Sequence, residues 1–230
     1  MRRMSTSADA FVAEVRTALA RAAVPADAEP MRAYMKSALP FFGVKKPARK
    51  TALAPRIAAT KGAAIDDVVS LARTLFVGAT HREERYAATD LLRAHRRHLR
   101  ARHLDALDEL VRVGAWWDHV DEIAAHLVGA ILRAEPEKTR ERLLAWATHD
   151  DLWLRRTAIL AQLTFRDGVD RELLAACIAP STRRPELWLR KAIGWALRNL
   201  SRHDPAWVRS YVEQHPELSA LSRKEALRRV

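Results

Sequence analysis

The chain of 230 residues has one cysteine, Cys177, so it can form no internal disulfide and no cysteine-rich zinc site. Its seven glycines and ten prolines are too few for a collagen-like or Gly/Pro-rich disordered chain. There is no glycine-rich phosphate loop and no Gly-x-Ser-x-Gly nucleophile turn. His95, His98 and His103 lack the i,i+4 spacing and carboxylate partner of a zinc helix, so neither metal nor other cofactor is expected. No apolar run reaches the roughly 20 residues of a membrane span. The nearest, Ile123 to Leu132, is interrupted by His126. Behind Met1-Arg2-Arg3-Met4 there is no apolar stretch, and Asp9 and Glu14 come early, which argues against a leader and for a cytoplasmic, membrane-free protein. Acid is also short: 28 Asp and Glu face 40 Lys and Arg, a net charge of +12.

What is present is hydrophobic residue, 49% of the chain, enough to bury a sizeable core. The surplus of cations suits a polyanionic partner, because Lys and Arg neutralise phosphates and release condensed counterions. A GC-rich genome would also favour Arg over Lys, but would not produce the excess over acid. Ala and Leu favour helix. Apolar positions recur at helical spacing, as in Val120, Ala124, Leu127, Val128 and Ile131. Breakers such as Glu135-Pro136, Asp150-Asp151 and His203-Asp204-Pro205 separate the segments. The pattern predicts an all-α chain of about a dozen helices.

Leu152-Trp153-Leu154-Arg155-Arg156 returns as Leu187-Trp188-Leu189-Arg190-Lys191, a period of 35 residues. Trp116-Trp117-Asp118-His119-Val120-Asp121 lies about one period earlier, and Arg85 to Leu92 is a fainter copy. Such a period predicts an α-solenoid of stacked helical repeats. No low-complexity linker divides it, so one domain over 1–230 is expected, with residues 1–30 as a capping segment. Asp121, Arg156 and Lys191 would form a ladder on a basic concave surface. Asp121 and Arg156 could equally form an internal ion pair, and an exposed pair would contribute only about 0–1 kcal/mol.

On a helical wheel Trp117 and Asp121 fall about 60° and 100° from Val120, towards the edge of the apolar stripe, and Trp116 falls about 40° to the other side and reads as core. Trp188, Lys191, Trp195 and Arg198 make a stripe of alternating aromatic and cation, which suits a sugar–phosphate backbone. Arg156 sits among apolar residues and needs an anion, either Asp121 or a bound phosphate. The run from Arg93 to His103 could track a phosphate backbone or be a solvated helix face. Lys45 to Lys50 and Arg183-Arg184 are weaker signals. Gly194 in mid-helix implies a close approach of a helix or a ligand, and Cys177 reads as a small core residue.

Trp116 to Asp121, Trp153 to Leu160 and Lys191 to Arg198 resemble signature segments of the AlkD-type DNA alkylation repair family. Met31 to Lys36, Phe41 to Val44 and Leu218 to Ala226 resemble its terminal segments, in the same order. The resemblance spans roughly residues 30 to 230. It implies HEAT-like repeats that wrap duplex DNA, and a glycosylase that removes positively charged N3- and N7-alkylated purines such as 3-methyladenine and 7-methylguanine. By the same resemblance Trp117, Asp121 and Trp195 match catalytic-cleft residues, Arg156 a cleft arginine, and Tyr34 a DNA-facing aromatic. Arg156, Lys191 and Arg198 would hold phosphates. The implied protein works as a monomer on duplex DNA, nucleoid-associated when bound. A non-catalytic module that binds damaged DNA is the alternative, and a protein-binding scaffold a third.

Overall fold

A computed structural model describes residues 8–230, and among them every regular element is helical. The contacts divide into two compact units, one ending at His98 and the other Leu99–Val230. Among the described residues no helix is long and apolar enough to cross a membrane.

The first unit holds α1 (Ala8–Arg21), α2 (Pro25–Met35), α3 (Lys46–Ala59), α4 (Ile65–Val77) and α5 (Arg82–Ala94). Helix α1 buries Phe11, Val12, Val15, Ala18 and Leu19 on one stripe and packs on α3, α4 and α5. Residues 1–7 of the expected capping segment lie outside the described residues. Proline opens α2 and α3, where its missing N–H is no loss. At the start of α5 the carboxylate of Glu83 is fully buried and accepts the N–H groups of Phe42, Gly43 and Val44 at 3.1, 2.9 and 2.9 Å. That fixes the approach to α3. Gly43 has φ +82°, and a Cβ there would lie 2.1 Å from the Val24 carbonyl oxygen, so only glycine fits.

The second unit holds α6 (Leu104–Gly114), α7 (Trp117–Glu122), a π-helical turn (Ile123–Val128), α8 (Gly129–Ala134), α9 (Pro136–Thr148), α10 (Leu152–Leu160), α11 (Arg171–Ile178), α12 (Leu187–Leu200), α13 (Pro205–Gln214) and α14 (Ala220–Ala226). Side-chain caps start several of these. Asp151 accepts from the N–H of Trp153 at 2.7 Å, Asp170 from Leu173 at 2.9 Å, and Asp204 from Trp207 at 3.1 Å. The core joins Ile159 and Leu160 of α10 to Leu189, Ile193 and Leu197 of α12 and Val208 and Val212 of α13. Each such side chain, fully buried, contributes about 1.5–3 kcal/mol.

The run from Arg93 to His103 does not form a continuous helix face. Helix α5 ends at Ala94, and two short 3-10 turns follow, Arg96–His98 and Ala101–His103. His103 is buried, and its Nδ1 accepts the Arg100 N–H at 2.9 Å.

Candidate functional site

Helix α10 carries an arginine into an apolar neighbourhood, and the structure shows what neutralises it. Arg156 is 4% exposed. Its Nε donates to Asp121 Oδ1 at 2.7 Å and its Nη2 to Oδ2 at 2.9 Å, a bidentate pair. Its Nη1 donates to the Trp188 carbonyl at 2.6 Å. Of the two anions the sequence left open, the internal carboxylate is the one in place. One guanidinium thus ties α7, α10 and α12 together.

The Asp121 side chain is 13% exposed. Burial pushes its carboxyl pKa above the ordinary aspartate value. The bonds and charge of Arg156 oppose that rise, and the nearby charge of Asp118 adds to it. Each carboxylate oxygen accepts one bond from Arg156 and keeps capacity for another, so a water or a developing cation can still be served.

Three indoles gather beside the pair. Trp116, the residue before α7, lies 6.1 Å from Trp153 and 5.4 Å from Trp188 between ring centroids, and Trp153 lies 6.1 Å from Trp188. The recurring Leu-Trp-Leu-Arg segments therefore meet through their tryptophans. The Trp188 ring also meets two cations, Arg156 with its guanidinium carbon at 5.9 Å and Lys191 with Nζ at 5.6 Å.

Trp117 is half-buried and begins α7, one turn before Asp121 on the same face. Trp195 is half-buried against the core of α10, α12 and α13. Neither ring stacks on the three indoles. Lys191 is exposed, and no carboxylate among the described residues lies within ion-pair distance of it. Arg198 pairs with Glu225 of α14. Tyr34, on α2 of the first unit, is 77% exposed. The structure thus brings together Asp121, Arg156, Trp188 and Lys191, with Trp195 and Arg198 further along α12.

Gly194 is explained by a helix rather than a ligand. A Cβ there would stand 2.6 Å from Glu225 Cβ and 3.2 Å from the Ser222 carbonyl oxygen, so the glycine lets α12 and α14 approach closely. Two features escaped the sequence. One is the Trp188 carbonyl as a ligand of Arg156. The other is Arg155, 8% exposed, whose guanidinium donates to the carbonyls of Ala147, Thr148 and His149 at the end of α9 and to that of Pro180. The doublet Arg155-Arg156 on an apolar helix was the available signal for both.

Residues 15–230 match the model of a family described as DNA alkylation repair enzyme. No curated protein sequence matches the chain. Among solved structures, a predicted DNA alkylation repair enzyme from Enterococcus faecalis is 25% identical, with a TM-score of 0.83 over 90% of this chain and 96% of its own. The Pseudomonas fluorescens alkylpurine DNA glycosylase AlkC, bound to DNA containing an abasic site analogue, is 14% identical. Its TM-score is 0.52, over 96% of this chain and 62% of its own, a likeness of fold.

Proposed function

The chain belongs to the DNA alkylation repair enzyme family, and on that premise we propose that it is an AlkD-type glycosylase. It hydrolyses the N-glycosidic bond of N3- and N7-alkylated purines in duplex DNA. A quaternised purine carries positive charge and already leaves readily, so little acid catalysis is required. The transition state places cationic character on the deoxyribose, and a fixed carboxylate with nearby π-faces stabilises it.

In this reading Asp121 stabilises the sugar cation and orients the attacking water. The observation that carries it is the bidentate pair, because Arg156 fixes both oxygens of the carboxylate while leaving each an acceptor site. Arg156 then acts through Asp121, as a positioning residue, rather than on a phosphate. Trp117 and Trp195 pack on the deoxyribose and exclude water. Lys191 and Arg198 of α12 hold phosphates, Arg198 exchanging Glu225 for the phosphate, and Tyr34, exposed on α2, faces the DNA.

A second reading is a non-catalytic module that recognises damaged DNA. It is favoured by the internal closure of the Asp121–Arg156 pair, which a purely structural clamp would also show. Release of free base from a duplex containing one defined 7-alkylguanine separates the two. Excision that depends on Asp121 is expected. Binding without release leaves only the second reading.

A further inference from the structure

On the proposed reading that Arg198 holds a phosphate, we infer that Glu225 of α14 sets the affinity for DNA by occupying that arginine in the free protein. Lys191 and Arg198 lie two turns apart on α12 and share a face. The two cations differ in what meets them. Lys191 is exposed, with no carboxylate within ion-pair distance among the described residues, whereas Arg198 donates from Nη1 to Glu225 Oε2. The other oxygen of Glu225 faces Arg228, whose Nη1 lies 3.9 Å away. One carboxylate thus presents its two oxygens to two arginines, as a phosphate would.

The backbone brings the acid there. Gly194 lies one turn before Arg198, and the absent Cβ is what admits Glu225, whose own Cβ would stand 2.6 Å from it. One turn further back, Ser222 Oγ donates to the Arg190 carbonyl at 3.0 Å and fixes α14 along α12. A mid-helix glycine disfavours the helix, and here it sets a carboxylate within reach of a cation on the face that carries Lys191. No buried charge demands that partner: the side chains of Arg198 and Glu225 remain 24% and 27% exposed. An ion pair open to water is weak. A phosphate, with its own charge and more acceptor oxygens, can therefore displace Glu225, and each binding event must break that pair first. The effect is independent of base sequence, so Glu225 weakens the hold on ordinary duplex.

The test is equilibrium binding of the full chain to an undamaged duplex at one fixed salt concentration. Glu225→Gln keeps the size of the side chain, and so the packing against Gly194, but removes the charge. It should bind about 2- to 5-fold more tightly, the range set by releasing one solvent-open ion pair. In the Arg198→Gln background the same substitution should bring no gain. The control Glu172→Gln, which removes one exposed negative charge on α11, should bind as the wild type does. Thermal melting confirms that the variants are folded. Unchanged or weaker binding by Glu225→Gln, or an equal gain without Arg198, overturns this role and leaves the pair a structural tie between α12 and α14. The gain with no base release from alkylated DNA keeps the role and removes the catalytic reading. Failure of the wild-type protein to bind duplex DNA overturns both.

Discussion

Replacing Asp121 by asparagine separates what the carboxylate does for the fold from what it does for the reaction. The Arg156 guanidinium is 4% exposed, so removing its counter-charge leaves a buried cation. Breaking such a pair costs about 3–5 kcal/mol. Asparagine keeps one acceptor for Arg156, which returns about 1 kcal/mol. The net loss is about 3 kcal/mol, a fall of about 6–12 °C in Tm at about 2–4 °C per kcal/mol. The single-turnover rate of 7-methylguanine release should fall about 100- to 1,000-fold, the usual loss when one preorganised electrostatic group is removed, with DNA affinity largely kept. The double variant Asp121→Asn/Arg156→Gln leaves neither charge buried. It should therefore recover at least about 2 kcal/mol relative to the sum of the single variants, while the rate stays low. Stability losses that add within about 0.5 kcal/mol would refute the energetic link between the two side chains. Wild-type excision by Asp121→Asn would refute the catalytic role.

The folded-state carboxyl of Asp121 titrates above the ordinary value, chiefly through burial, so the folded protein holds that proton to higher pH than the unfolded chain. Excision, which needs the anion, accordingly increases as pH rises through the folded pKa. Arg156→Gln removes the influences that lower this pKa and should move the acid limb of the single-turnover pH profile to higher pH; a limb that stays in place contradicts the assignment. Gly194→Ala should destabilise by about 1–2 kcal/mol, since overpacking against Glu225 and Ser222 exceeds the gain in helix propensity, and a thermal melt at or above the wild-type midpoint would contradict it.

The helices were legible because Ala- and Leu-rich segments alternate with caps such as Asp151 and Asp204, a purely local signal. The Asp121–Arg156 spacing was legible too, but only as one of two anions for a buried arginine, since spacing does not say what fills a gap between helices. The indole cluster was not. Trp116, Trp153 and Trp188 lie about 35 residues apart in the sequence and meet only once their segments are stacked. The role of Arg155 was signalled only by a second arginine on an apolar helix, because its partners are backbone carbonyls, which every residue carries. The pairing of Arg198 with Glu225 depends on the close approach at Gly194, of which the sequence showed only the glycine. The π-helical turn after Glu122 escaped because six residues are too few to distinguish its period from that of an α-helix.

One guanidinium, with a contact to each of α7 and α12, makes the geometry around Asp121 a property of how three helices are rotated about their own axes. The connections between them are a separate matter. A surface loop can double in length at a cost of about 0.6 kcal/mol, so homologues are free to differ in the turns between these helices. A slip of one residue in the register of α10, by contrast, would swing the arginine about 100° away from both its partners. Insertions and deletions in this protein should therefore be tolerated between helices and forbidden within α10.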